Sequence, residues 1–305
     1  MYKAFFGLRA KPFRLNPDPR FLFCSRGAKR ALDFLRFGIY QREGMVLLTG
    51  DTGVGKTLLT RSLIPLLSND GVTVAQIQPL LSGADQLLNQ IAASFGAEAT
   101  HTTDATLTAL RRQLLATVQA GRRAVLIVDE AQNLDTPALE LLRMLSNLLV
   151  GAASTIQIVL VARSSLRRTL TNADFESLRQ RVVAADHLGA LAADEVGPYI
   201  AWRMRRAGWR GALPFDETAI DAVLATTQAI PRRINKVCDR LLMLAFLEGR
   251  TAISGVDIGP VVEEMATEWA PALAGLKLPR TGQPRHARSR SLDGEAAVAS
   301  LGADV

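Results

Sequence analysis

Gly50-Asp-Thr-Gly-Val-Gly55-Lys56-Thr57 sets three glycines, a lysine and a hydroxyl within eight residues, a spacing suited to gripping phosphate. The glycines let successive backbone N–H groups curl around a phosphoryl group with no Cβ in the way. A helix starting at the lysine adds the positive end of its dipole. Lys56 then reaches the β- and γ-phosphates of a nucleotide, and the Thr57 hydroxyl ligates Mg²⁺. The expected nucleotide-binding segment is Gly50, Asp51, Thr52, Gly53, Val54, Gly55, Lys56, Thr57 and Leu58. A second chemical centre is Val125-Leu-Ile-Val-Asp129-Glu130. There an apolar run delivers Asp129 to the Mg²⁺ shell, and Glu130 faces the γ-phosphate, where it can polarise an attacking water. Each half has a plain alternative: a chance glycine-rich turn, or two acids capping the next helix. The pairing of the two motifs, and the strand and helix flanking the glycine loop, weigh against both.

The elements that must position these groups are legible in the hydrophobic pattern. Apolar runs at Met45–Thr49, Val72–Ile77, Ala124–Val128 and Ile156–Val161, with a fifth candidate at Val182–Asp186, predict strands. Helical periodicity falls between them: 26–40 behind Ser25 as N-cap, 56–67, 84–95, a helix capped by Thr103 or Asp104 and running to 119, 136–149, and a polar helix over 164–178. Strands alternating with helices imply an α/β fold with a parallel, doubly wound sheet. From 193 onward only helical patterns occur, over about 193–207, 216–227, 231–248 and 255–268. The expected organisation is an aromatic and proline-rich segment (1–40), a P-loop α/β domain (41–190), a small all-α lid (191–270) and a disordered basic tail (271–305).

Composition narrows the class. Apolar residues make up 48% of 305 residues, ample for a packed core, yet no run approaches the ~20 residues that cross a bilayer. No secretory signal pattern opens the chain. Cys24 and Cys238 are far apart, so a reducing compartment fits and a cytoplasmic location is expected. The net charge of +7 is unevenly spread: Lys277, Arg280, Arg285, Arg288 and Arg290 carry five positive charges across 277–290 with no acid between them. A near-neutral body with a basic tail is unlike a dedicated DNA clamp, and suits a weak contact with an anionic membrane or polyanion. His101, His187 and His286 share no metal-ligand spacing.

These motifs identify a resemblance to AAA+ ATPases of the ExeA/GspA type over roughly residues 1–265. It is carried by Phe6-Gly-Leu, Pro12-Phe13, Asn16-Pro-Asp-Pro-Arg-Phe21, the P-loop and Asp129-Glu-Ala-Gln132. It continues through Leu145-Ser-Asn147, Leu178-Arg-Gln-Arg181, His187-Leu-Gly189, Ile230-Pro-Arg-Arg-Ile-Asn235 and Cys238-Asp-Arg240. Ser25-Arg-Gly27, Arg205-Arg-Ala-Gly-Trp209 and Phe246-Leu-Glu248 most resemble the branch encoded with exosortase and exopolysaccharide gene clusters. The resemblance implies a P-loop NTPase of the AAA+/ASCE class using ATP and Mg²⁺. It makes Arg232 a sensor contacting the γ-phosphate of its own subunit. Arg181, ahead of Arg179, becomes the finger presented to a neighbour, within an ATP-dependent homo-oligomer.

The chain also departs from that family. Where the family ends its fourth strand in Gly-Gln before Pro-Glu-Leu, this chain has Ala162-Arg163-Ser-Ser-Leu166, so the sensor amide is replaced by Arg163 or displaced to Ser164. The lid's Gly-Gly is Gln228-Ala229, and Gln78 takes the carboxamide position after the second strand. Trp202 and Trp209 interleave with Arg203, Arg205, Arg206 and Arg210; a packed lid face explains them more simply than nucleic acid does. The N-terminal aromatics are candidates to enclose adenine. The leading functional expectation is an ATP-driven switch or motor at the cytoplasmic face of the inner membrane, with envelope or secretion partners. A DNA-associated ATPase of the transposition-regulator type, or a slow nucleotide-gated scaffold, is the alternative.

Overall fold

A computed structural model describes residues 2–79, 83–100, 102–150 and 153–265. His101, His286, the 277–290 basic segment and the end of the helix expected over 255–268 lie outside the described residues. The chain opens with a short helix, α1 (Tyr2–Phe5), and a turn at Pro19–Phe21 whose cap is the Asp18 side chain. Helix α2 (Arg26–Tyr40) follows, and Ser25 Oγ accepts from the Ala28 N–H at 3.1 Å. Then come β1 (Met45–Gly50), α3 (Lys56–Asn69), β2 (Val72–Ile77), α4 (Ala84–Ser94), α5 (Thr103–Gln119), β3 (Arg123–Val128) and α6 (Thr136–Ser146). The chain continues with β4 (Leu149–Val150), β5 (Ala153–Ser154), β6 (Ile156–Ala162), α7 (Ser164–Thr169), α8 (Glu176–Arg179) and β7 (Val182–Leu188).

Five strands form a parallel sheet in the order β2-β3-β6-β1-β7. Strand β6 lies between the strand that ends in the glycine loop and the strand that ends in the two acids. The registers set Ala162 beside Thr49, and Leu160 beside both Leu48's neighbour Leu47 and Val128. All of β1 and β6 are buried, because helices cover both faces, and this is why their sequences read as continuous apolar runs. Alternation still decides which face each residue serves. Val46, Leu48, Val125, Ile127, Val159 and Val161 pack against α2 and α3. Met45, Leu47, Leu126, Val128, Ile158 and Leu160 pack against α4, α5 and α6.

After the sheet the backbone is helical: α9 (Val196–Arg206), α10 (Glu217–Thr227), α11 (Pro231–Leu247), and a further turn at Gly255–Asp257 that continues helically. Arg203 is 3% exposed. It donates to the carbonyls of Pro12 at 2.8 Å, Arg14 at 2.9 Å and Phe21 at 3.5 Å, and its guanidinium lies over the Phe21 ring. Its neighbour Arg206 donates to the Arg20 carbonyl at 2.8 Å. The N-terminal segment is thereby fastened to α9, and Arg61 of α3 also reaches the Pro17 carbonyl at 3.3 Å. Burial pulls the Arg203 pKa down.

Three local expectations need correction. The cap of α5 is Thr102, whose hydroxyl accepts from Ala105 N–H, one residue earlier than read from the sequence. The helix expected over 136–149 stops at Ser146, and β4 pairs antiparallel with β5 beyond it. Thr155 draws the chain back there by donating both its N–H (2.8 Å) and its hydroxyl (2.9 Å) to the Leu148 carbonyl. The polar helix over 164–178 is broken at Asn172, whose extended backbone separates α7 from α8.

Candidate nucleotide site

Every element end that the glycine loop and the acids require meets at the carboxyl end of the sheet. The loop leaves β1 with Gly53 at φ +91° and Gly55 at φ +108°, conformations that side chains resist. Gly50 is fixed by space instead, since a Cβ there would stand 2.4 Å from the Leu188 carbonyl oxygen. Helix α3 then starts at Lys56, directing its first N–H groups at the loop. Lys56 is 6% exposed, and Nζ donates to the carbonyls of Gly50 (2.7 Å) and Asp51 (3.1 Å). Burial lowers its pKa.

Asp129 is 2% exposed at the end of β3. One oxygen accepts the Thr57 hydroxyl at 2.7 Å and the other accepts Glu130 N–H at 2.9 Å. Burial raises its pKa, against the opposing pull of the Thr57 hydrogen bond. Paired hydroxyl and carboxylate oxygens are hard donors of the kind Mg²⁺ takes from protein when waters and substrate phosphates complete its shell. The two residues present therefore fit that ion.

Glu130 sits at φ +53°, in the left-handed region. Its carboxylate accepts Gln132 Nε2 at 2.5 Å, and Arg163 Nε stands 3.6 Å away. The other end of the Gln132 amide, Oε1, accepts Arg163 N–H at 2.8 Å. Gln132 thus bridges the end of β6 to the acid. Of the two sensor candidates, Arg163 approaches Glu130, whereas Ser164 donates to Asp51 at 2.8 Å and braces the glycine loop.

A cavity of about 410 Å³ joins these groups to the helical segment. Thr52, Gly53, Gly55, Lys56, Thr57 and Leu58 line it on the loop side. Gln78 and Glu130 stand at the sheet, Asn16 and Pro17 on the N-terminal segment, and Arg232 and Asn235 on α11. Helix α11 is docked on the loop itself: Arg232 N–H donates to the Gly53 carbonyl at 3.1 Å, and a Cβ on Gly53 would come within 2.7 Å of Arg232 Cβ. Gln228 and Ala229, in place of the family's Gly-Gly, adopt φ +53° and +55° just before this joint.

Gly50, Asp51 and Val54 complete the loop without lining the cavity. Arg179 and Arg181 are not brought to it. Val182 pairs with Met45 and Leu188 with Gly50, so Arg181 stands a whole strand away, roughly 17 Å, from its own glycine loop. Both arginines are exposed, with Arg179 Nη1 donating to the Leu170 carbonyl at 3.4 Å. His187 is partnered to the Thr49 hydroxyl at 3.1 Å. The sequence pattern alone assigns no catalytic or binding role to Gln132, Tyr199, Arg203 and Asn235. The signal for the last three was polarity on the apolar faces of two helices, and Tyr199 donates to Asn235 Oδ1 at 2.8 Å in the buried interior.

Residues 39–170 match the model of an AAA domain. General secretion pathway protein A of Aeromonas hydrophila is 35% identical over 92% of this chain, which spans about half (53%) of that relative's length. Among solved structures, Cdc6p of Pyrobaculum aerophilum superposes with a TM-score of 0.65 at 19% identity, covering 86% of this chain and 70% of its own. The ORC2 protein of Aeropyrum pernix, solved as ADPNP and ADP complexes, gives 0.63 at 18%, covering 83% and 71%. Those structures speak for the fold, a P-loop parallel sheet with flanking helices. Among the described residues no helix is long and apolar enough to cross a membrane. The chain thus carries an AAA domain, and over nearly its whole length it is similar to a protein of the ExeA/GspA type.

Proposed function

We propose that this chain binds Mg·ATP and hydrolyses it, and that the cycle drives a switch or motor serving an envelope process at the cytoplasmic face of the inner membrane. The observation that carries the reading is the convergence of Lys56, Thr57 and Glu130 on one cavity, with the buried Asp129 accepting the Thr57 hydroxyl. On binding, Lys56 exchanges the Gly50 and Asp51 carbonyls for phosphate oxygens, which restores a negative partner to a buried cation. Thr57 and Asp129 would hold Mg²⁺, which when bound would supply charge neutralisation at the phosphates. Glu130 polarises the attacking water, and Arg232 follows the γ-phosphate from α11. Because α11 rests on Gly53, nucleotide state is transmitted to the helical segment, read here as a lid over 191–270 on a P-loop domain over 41–190.

The secretion relative supports an envelope role, and the exosortase-like segments point to export of an exopolysaccharide. Arg181, out of reach of its own loop, suits a neighbour's site in a homo-oligomer. A second reading, a slow nucleotide-gated scaffold, draws on Gln132 and Arg163 engaging the Glu130 carboxylate. Two variants test the primary reading. Lys56→Ala is expected to abolish tight Mg·ATP binding, whereas Glu130→Gln keeps binding and loses turnover by about 10²-fold or more, the scale of a lost general base. Equal ATPase rates in wild type and Glu130→Gln would overturn the assignment, and rates equally close to zero would favour the scaffold.

A further inference from the structure

Beyond β3 the chain turns through residues 129–133, and two side chains of that turn meet. Glu130 borders the nucleotide cavity, whereas Gln132 does not line it. Gln132 Oε1 accepts the Arg163 backbone N–H at 2.8 Å. A backbone N–H only donates, so the amide is oriented with its nitrogen toward the acid. Nε2 donates to Glu130 Oε2 at 2.5 Å, and Asn133 Oδ1 lies at 3.4 Å as a weak second acceptor.

Glu130 is therefore held at both ends. Its backbone is left-handed at φ +53°, and its N–H donates to the buried Asp129 carboxylate at 2.9 Å. Its own carboxylate is tied through Gln132 to Arg163, the first residue beyond β6. That strand lies between β1 and β3, and its last residue, Ala162, is in register with Thr49, one residue before Gly50. A continuous set of bonds thus runs from the acid on β3, across Gln132, to the strand beside the glycine loop. The other group near the carboxylate among the described residues is Arg163 Nε at 3.6 Å, too long for a hydrogen bond.

We infer that Gln132 is a positioning residue for hydrolysis: its amide fixes the Glu130 carboxylate relative to the glycine loop by tying it to the end of β6. The inference rests on the reading of Glu130 as the group that polarises the attacking water. Gln132 stands behind that carboxylate and acts through it. A general base works only within hydrogen-bond reach of its water, and a misplacement of about 1 Å can cost ~10²-fold in rate.

Gln132→Glu tests this on the full chain, because it keeps an oxygen for the Arg163 N–H and sets a like charge against Glu130 where the donor was. Its kcat is expected to fall at least about tenfold, while KM for ATP and the calorimetric affinity for Mg·ATP stay within about twofold, since the phosphate ligands are untouched. In a Glu130→Gln background the same substitution should change the residual single-turnover rate by less than about twofold, whereas a merely structural Gln132 would lower it again in full. With no nucleotide present, Gln132→Ala should speed exchange of the Arg163 amide by about tenfold or more, since that N–H loses its acceptor. An unchanged or raised kcat in Gln132→Glu, full additivity with Glu130→Gln, or an unchanged exchange rate at Arg163 overturns the proposal. A Glu130→Gln variant as active as wild type would overturn the reading of the base, and the proposal with it. A slow Glu130→Gln beside an unimpaired Gln132→Glu overturns the role of Gln132 alone.

Discussion

At the carboxyl end of the sheet the buried polar groups satisfy one another: Lys56 rests on two carbonyls, Thr57 on Asp129, and Gln132 between Arg163 and Glu130. At the amino end Arg123 Nη1 and Gln157 Oε1 are buried and have no hydrogen-bond partner among the described residues. Exchanging one hydrogen bond for another yields little net free energy, about 1 kcal/mol or less. A ligand at the carboxyl end must therefore draw its affinity from charge, supplied by a buried lysine and a helix start. The amino end offers no such exchange, because its two unpartnered atoms are closed off by the surrounding chain.

Arg181 puts the largest number on this contrast, because it belongs to the amino end by position and to the carboxyl end by proposed role. The β1–β7 register forbids it from reaching its own glycine loop, so any contribution to hydrolysis must cross a subunit boundary. Arginine fingers contribute ~10³–10⁵ in rate. Arg181→Ala is expected to bind ATP normally and to lose activity on that scale, and wild-type activity per subunit should rise with concentration. Mixing Arg181→Ala with Lys56→Ala should restore part of the activity, since some interfaces then pair an intact Arg181 with an intact loop. No recovery in mixed oligomers verified by sizing would remove the finger.

The two ends were also unequally legible in the sequence. The carboxyl end announces itself, because phosphate chemistry demands fixed residue types at fixed spacing, and strands β1, β2, β3 and β6 declare themselves as apolar runs. Strand β7 is weaker, since its apolar run is only four residues long before Asp186 and His187. The β4–β5 pair, two residues a side, is shorter than any readable period. A cavity at the amino end of the sheet, lined by Arg42, Asp70, Arg123 and Gln157 among others, is assembled from four separate stretches, so spacing could not reveal it. Its one local trace is Gln157, a polar residue between isoleucines in a strand buried on both faces. The Glu130–Gln132–Arg163 contact was half visible. The departure at Arg163 could be read, but only the coordinates show that it turns toward the acid.

That contact gives the second test, confined to the carboxyl end. Arg163 is about half exposed, so its 3.6 Å approach to Glu130 has the modest strength of a surface pair, 0–1 kcal/mol. If it restrains the carboxylate, Arg163→Gln, which restores the family's amide, should raise kcat by up to about fivefold, the rate equivalent of ~1 kcal/mol. Km for ATP should stay within about twofold, since the phosphate ligands are untouched. A fall in kcat would assign Arg163 to the transition state instead, in the manner of the amide it replaces.

The smallest effect concerns backbone strain, which is also shared unequally between the ends. Among the described residues, four non-glycine positions have positive φ. Glu130, Gln228 and Ala229 stand at the nucleotide end or at the joint leading into it, and Arg42 stands on the rim of the amino-end cavity. The left-handed conformation costs an ordinary residue about 1–2 kcal/mol, and glycine removes that cost while adding freedom to the unfolded chain. The net gain from one replacement is therefore roughly 0.5–1 kcal/mol. At ~2–4 °C per kcal/mol for a domain of this size, Gln228→Gly should raise Tm by about 1–4 °C. Ala229→Gly gives less, because Ala229 is buried and a methyl group's packing is lost. The joint itself should become easier to flex, since Ala229 and Ile230 carry the chain from α10 into the α11 turn that rests on Gly53. Strain there then separates from strain elsewhere by function: Gln228→Gly shifts Tm and the ATP dependence of lid protection in hydrogen exchange, whereas Arg42→Gly shifts Tm alone. A Gln228→Gly variant that melts lower than wild type would mean that its side-chain contact with Arg233, 2.8 Å at Oε1, outweighs the backbone term.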